Sequence, residues 1–129
     1  MLLLVFSYWT VKPLFAPGYF PMHDDTQVAR VIVMGKALRN GQFPVRWVSD
    51  LGYGYGYPLY NFYGPLPYYL GGALYASGVD AVVATKAMMA VGMLLSGITM
   101  YILVQARFGR VSGILAGILY AFAPYHAVQ

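Results

Sequence analysis

Three uncharged stretches and one long mixed stretch alternate along this chain, and their lengths predict its elements. Ala87 to Ala106 (AMMAVGMLLSGITMYILVQA) runs twenty residues without a charge. At about 1.5 Å rise per residue it covers the roughly 30 Å hydrocarbon core of a bilayer, which predicts a transmembrane helix over 81–105. A shorter uncharged run, Val111 to Tyr125, predicts a further helix over 111–125 that Pro124 closes or kinks. It spans only with little tilt or with local thinning of the bilayer. The opening MLLLVFSYWTV gives eleven uncharged residues before Lys12 and Pro13. That is too few to span alone, and the stretch lacks the basic start and small-residue cleavage site of a signal peptide. It reads as the end of a first membrane helix over 1–16, so the sequence is expected to be the amino-terminal part of a longer multi-pass protein.

Between these apolar runs lies a polar and aromatic segment, 17–80, too rich in Tyr, Trp and Phe for a solvated linker. Within it, Val28, Val31, Ile32, Gly35 and Leu38 recur at helical spacing, with Arg39 intruding on their face. The spacing predicts a helix over 25–40. Asp25 or Thr26 can cap its first turn, Lys36 and Arg39 suit its carboxyl end, and Gly41 follows as a stop. Weak amphipathicity of this kind fits a helix lying on a membrane surface. A second, apolar helix is expected over 65–77. The architecture predicted is all-α integral membrane, with about three transmembrane helices and a long outward-facing loop that contains a surface-lying helix.

Composition supports the membrane reading. The chain is 60% hydrophobic and 9% charged, its four acids are all Asp, and it has no cysteine. A soluble domain carries roughly 25% charged residues, and the absence of cysteine removes disulfides and thiolate metal sites. Net charge is +4, but the basic residues are scattered, which argues against nucleic acid and for anionic lipid or a phosphate-bearing substrate. The RFGR turn at 107–110 carries two Arg and favours the cytoplasmic side. Loop 17–80 is then expected on the outer face of the cell membrane.

Candidate chemistry concentrates in that loop. His23, Asp24 and Asp25 stand side by side before the first loop helix. One acid suffices as a cap; a second beside it adds repulsion that raises one pKa and supplies a general base. Two carboxylates and an imidazole also suit a divalent ion such as Mg or Mn, although adjacent residues point about 100° apart on a helix and do not converge. The stretch LGYGYGYPLYNFYGPLPYYLGG lacks the Lys-Ser/Thr ending of a phosphate loop. Its aromatics, with Trp47, Tyr57 and Tyr60 among them, either settle at the membrane interface or form a wall that packs on sugar rings, to which Asn61 adds polar contacts. Lys86, one turn into the second membrane helix, either snorkels or pairs with a phosphate head group.

Taken together, PMHDDTQVARVIVMGKALRNGQFPVRWVSDLGYGYGYPLYNFYGPLPYYL, the RFGR-linked apolar pair and the ending APYHAVQ resemble the amino-terminal part of GT-C superfamily membrane glycosyltransferases. The likeness is to YfhO-type proteins and the pyruvoyl-tetrahydropterin-synthase-related membrane proteins. It implies a polyprenyl-phosphate-linked sugar donor, an acidic motif in the first outer loop, and two surface helices there. Carried over, Asp24 is the general base and Asp25 the cap or second acid. His23, Arg46, Trp47, Tyr57, Tyr60, Asn61 and Lys86 are the substrate-binding candidates, Arg46 or Lys86 offsetting charge on the departing lipid phosphate. The rival expectation is a non-enzymatic lipid-binding or transport subunit whose loop docks a partner. Either way, membrane lipid and the rest of its own chain beyond residue 129 are expected partners. Three helices do not enclose a lipid-donor groove, so residues 1–129 alone are expected to be catalytically silent; measurable turnover contradicts this.

Overall fold

A computed structural model describes residues 8–19 and 26–123. The expectations for His23, Asp24 and Asp25, and for the chain from Pro124 on, lie outside them. Among the described residues every named element is helical. A 3-10 turn at Lys12–Phe15 is followed by α1 (Gln27–Arg39), a 3-10 turn at Gly52–Gly54, α2 (Leu59–Phe62), α3 (Leu66–Ala76) and α4 (Ala81–Ala121). Two compact units divide the chain, one of residues 24–88 and one that joins 1–23 to 89–129.

The first unit is built on the crossing of α1 and α3. A Cβ on Gly35 would lie 2.8 Å from the Gly72 carbonyl oxygen and 2.6 Å from Tyr75 Cδ1. One on Gly72 would overlap the Met34 side chain and lie 3.0 Å from the Gly35 nitrogen. Only hydrogen at both positions lets the two backbones approach this closely. Gly71 repeats the device one residue earlier, against Val31 and Met88. Val31 and Met34 are fully buried as a result.

Both helices end in the same way. Gly41 takes a φ of 75° and Gly78 one of 104°, conformations that cost glycine little. The Gly41 N–H donates to the Leu38 carbonyl (2.9 Å) and that of Gln42 to Ala37 (3.0 Å). At the end of α3 the N–H groups of Gly78 and Val79 reach Tyr75 and Leu74 (3.1 Å each). These are Schellman caps, which satisfy carbonyls that a helix end otherwise leaves unpaired. Arg39 extends the second cap: its Nε donates to the Ala76 carbonyl (3.0 Å) and its Nη2 to that of Tyr75 (2.6 Å). A cation at the negative end of α3 is favourably placed, which accounts for a charge on the apolar face of α1. At the other end of α1, Thr26 sits in the cap position but its side chain makes no capping bond. Asp80 does cap α4, its Oδ1 accepting from the Val82 and Val83 N–H groups at 2.9 and 3.2 Å.

Helix α4 is interrupted at Gly109, whose φ of 82° and ψ of 172° are not helical. Beyond that point the chain folds back along its own preceding turns. A Cβ on Gly113 would lie 3.0 Å from the Tyr101 carbonyl oxygen and 2.8 Å from Gln105 Cβ, and one on Gly97 3.6 Å from both the Gly117 carbonyl oxygen and Ala121 Cβ. Gly113, Gly117 and Ala121 therefore form a small-residue stripe at four-residue spacing, the pattern that lets apolar helices pack backbone to backbone. The break falls inside the RFGR turn, between the helices expected over 81–105 and 111–125, and the arm after it runs to Ala121. Among the described residues, α4 is the one helix long and apolar enough to cross a membrane, with a mean hydropathy of 2.0 over its most apolar window.

The glycine crossing carries a test of the fold. Gly72→Ala should destabilise the protein by about 1 to 3 kcal/mol, the cost of overpacking a tight contact, seen as a lower midpoint in thermal unfolding of the detergent-solubilised protein. Gly64→Ala, where a Cβ meets nothing within 4 Å, should leave the midpoint in place.

Candidate functional site

Helix α1 has two working faces. Val31, Met34, Gly35 and Arg39 meet α3, while Thr26, Ala29, Arg30, Val33, Lys36, Ala37 and Asn40 follow a second row at three- and four-residue spacing. That second row faces the loop between α1 and α2 and lines two cavities with it. The helix expected over 25–40 is thus present at Gln27–Arg39, and its buried side chains, Val31, Val33, Met34, Gly35 and Ala37, are held by protein on both rows.

The loop is closed by one antiparallel bridge, in which Val48 and Tyr57 exchange N–H to carbonyl bonds of 2.9 Å in both directions. Inside it, the Tyr55 N–H donates to Gly52 (3.0 Å) and that of Gly56 to Leu51 (2.9 Å), so these donors stabilise the turn. Gly52, Tyr53, Gly54 and Gly56 all take positive φ, which the alternating glycines make accessible at three of the four positions. Gly56 has a second role: a Cβ there would overlap the Trp47 indole, at Nε1, Cε2 and Cζ2. The indole therefore lies directly on the Gly56 backbone. Tyr53 and Tyr55 project fully exposed from the tip.

The first cavity, about 290 Å³, lies along the amino-terminal half of α1 among Thr26, Arg30, Leu51, Tyr57, Leu59 and Tyr63. Arg30 is the charged side chain among its described walls. Its guanidinium stands 4.2 Å from the centre of the Tyr63 ring, a cation–π arrangement, and its Nη1 donates to the Tyr68 hydroxyl (3.2 Å). The Tyr68 hydroxyl in turn donates to Gln27 Oε1 (2.6 Å), and the Tyr60 hydroxyl donates to the Arg30 carbonyl (2.6 Å). Tyr60 is 4% exposed. Burial first, and then the neighbouring Tyr68, push its phenol well above the ordinary value of 10.0, so it remains a neutral donor. The network fixes Arg30 from below and leaves the cavity's rim to Tyr57, which is stacked on Phe62 with ring centres 6.1 Å apart.

The second cavity, about 300 Å³, lies along the carboxyl-terminal half of α1 and includes Trp47. Lys36 Nζ meets Asp50 Oδ2 across it at 2.6 Å. The hydrogen bond and then the charge of each partner lower the Asp50 pKa and raise that of Lys36.

The substrate-binding candidates therefore separate. Tyr57 lines the first cavity and Trp47 the second. Tyr60 is a buried support beneath Arg30. Arg46 and Asn61 are exposed and belong to neither lining, and Lys86 lies on α4, also outside both. Arg30, Lys36 and Asp50 are additions. Arg30 was visible as a basic residue one turn into α1, but its stacking on Tyr63 depends on a contact 33 positions along the chain. Among the described residues no group of three His, Cys, Asp or Glu side chains converges to hold a metal; the divalent-ion expectation rests on His23, Asp24 and Asp25, which lie outside them. No family model matches this chain, nor does any curated protein or solved structure.

The Lys36–Asp50 pair has a pH signature. A lowered carboxyl stabilises the fold above its ordinary value of 3.8 and loses that effect as pH falls through the lowered pKa. A raised ammonium stabilises below 10.5 and loses the effect as pH rises through the raised pKa. The pair thus holds loop to helix across the window between those values, weakly at high salt because both groups are exposed. Carbon-13 NMR of the carboxyl should find Asp50 titrating at a higher pH in Lys36→Met than in the wild type; an Asp50 titration that is the same in both contradicts the pairing.

Proposed function

We propose that this chain belongs to a multi-pass membrane glycosyltransferase of the GT-C kind, in which loop 17–80 binds a polyprenyl-phosphate-linked sugar at the outer surface of the cell membrane. The observation that carries the reading is the Arg30 cavity. It pairs a fixed guanidinium, suited to a phosphate oxygen, with the aromatic rings of Tyr57 and Tyr63, suited to a sugar or an isoprenoid. Thr26 lines this cavity, and Asp24 and Asp25 directly precede it in the chain. That adjacency supports Asp24 as the base that takes the acceptor hydroxyl's proton, with Arg30 offsetting the charge on the departing phosphate.

Membrane insertion of α4 supports the same reading. Its most apolar window is only 11% buried within the protein, whereas the core helix of a soluble protein covers its apolar surface. The arm before Gly109 is about 42 Å long at 1.5 Å per residue, enough to cross the hydrocarbon core. The small-residue stripe at Gly113, Gly117 and Ala121 then brings a second apolar arm back beside it.

The test is transfer from a radiolabelled polyprenyl-phosphate sugar by the full-length protein in lipid nanodiscs. Asp24→Asn should lower the rate at least about a hundredfold with donor binding retained, and Arg30→Leu should weaken donor binding about tenfold. An Asp24→Asn protein that folds normally and transfers at the wild-type rate rules out the base. If a saturating screen of polyprenyl-phosphate sugars gives neither binding nor transfer, the non-enzymatic reading takes over.

A further inference from the structure

The transfer reading uses the first cavity and leaves the second unexplained. That groove is walled by Lys36 of α1, by Asn40 just past its end, and by Gln42, Trp47, Ser49 and Asp50 of the loop. Its make-up differs from that of the Arg30 cavity in two respects. The charges are matched: Lys36 is paired with Asp50 at 2.6 Å, and the Arg39 guanidinium is engaged by the Tyr75 and Ala76 carbonyls at the end of α3. The remaining polar groups, the amides of Asn40 and Gln42 and the Ser49 hydroxyl, are neutral, and Ser49 Oγ lies 3.3 Å from Asp50 Oδ1 as its donor. Trp47, 51% exposed, borders these groups with its indole seated on Gly56.

From this arrangement we infer that the groove is a binding subsite for an uncharged pyranose. A sugar ring has an apolar C–H face and a rim of hydroxyls that both donate and accept. The indole supplies a flat apolar surface already fixed by its contact with Gly56, so little conformational entropy is lost when a ring packs on it. The ammonium of Lys36 and the carboxylate of Asp50 stand side by side, and adjacent hydroxyls can accept from the one and donate to the other. The amides of Asn40 and Gln42 each offer a donor and an acceptor to further hydroxyls. A phosphate or carboxylate ligand fits less well, because each cation of the groove already has its partner. An acyl chain fits less well again, because it would strip water from the charged pair and the amides without replacing their hydrogen bonds. The inference goes beyond the transfer reading, since it needs neither a lipid donor nor turnover.

Direct titration tests it on the full-length protein in lipid nanodiscs, which carry no sugar-headed detergent. Saturation-transfer NMR follows the ligand. The probes are the methyl glycosides of glucose, galactose, mannose and N-acetylglucosamine, with inorganic phosphate beside them. At least one glycoside should give a saturable millimolar response that phosphate neither produces nor competes away. Asp50→Asn and Gln42→Ala, both surface changes, should each weaken it at least about fivefold, and Trp47→Ala should abolish it. No saturable response from any glycoside overturns the inference, as does competition by phosphate or a response that both surface variants leave unchanged. Because the readout is binding, its failure is distinct from a failure of sugar transfer.

Discussion

Two helix backbones can touch only where side chains are absent, and the unit of residues 24–88 depends on such a contact between Gly35 and Gly72. The approach sets the separation of α1 and α3, and the side-chain bonds that cross between these two helices fit that separation. It brings the Arg39 guanidinium within reach of the α3 carboxyl end, and the Tyr68 hydroxyl within reach of Gln27 and Arg30. It also consumes one face of α1. The opposite row is left to the loop, and both cavities lie along that row.

The loop's composition follows from what it has to hold. Its tyrosines divide by burial into two sets with different physics. Tyr60 and Tyr68 are buried and spend their hydroxyls on α1, and Tyr69, partly buried, accepts from the Val45 N–H at 2.7 Å. Trp47 and Tyr57 stay partly exposed at the cavities, and Tyr53 and Tyr55 are wholly exposed at the tip. Glycines between them make both sets possible, by supplying positive φ in the turn and, at Gly56, a surface for an indole. A charged pair at one end of the α1 row and a stacked arginine at the other give the two cavities different side-chain chemistry.

Local signals in the sequence anticipated α1 and α3 closely, whereas the short α2 had no such signal. The expected 25–40 and 65–77 correspond to Gln27–Arg39 and Leu66–Ala76, because Gly41 and Gly78 stop them through short-range hydrogen bonds that a sequence displays. Long-range partners were not displayed. Gly35 read as one more member of an apolar row, since nothing local names Gly72 as its counterpart, and Arg39 read as an intrusion because the carbonyls it caps lie 36 and 37 residues away. The aromatic stretch announced a wall, but only packing separates Tyr60, a buried support, from Tyr57, a lining residue. Arg46, Asn61 and Lys86 carried the right functional groups for a substrate site but lie outside both linings.

Under the proposed function, the amino-terminal half of α1, with Arg30 at its centre, would receive the head group of a lipid-linked sugar. Cryo-electron microscopy of the full-length protein in nanodiscs, saturated with a non-transferable polyprenyl-phosphate sugar analogue, bears on it most directly. Head-group density is expected between the Arg30 guanidinium and the Tyr57 and Tyr63 rings. A cavity that stays empty at saturation, or head-group density placed elsewhere on the protein, would contradict it.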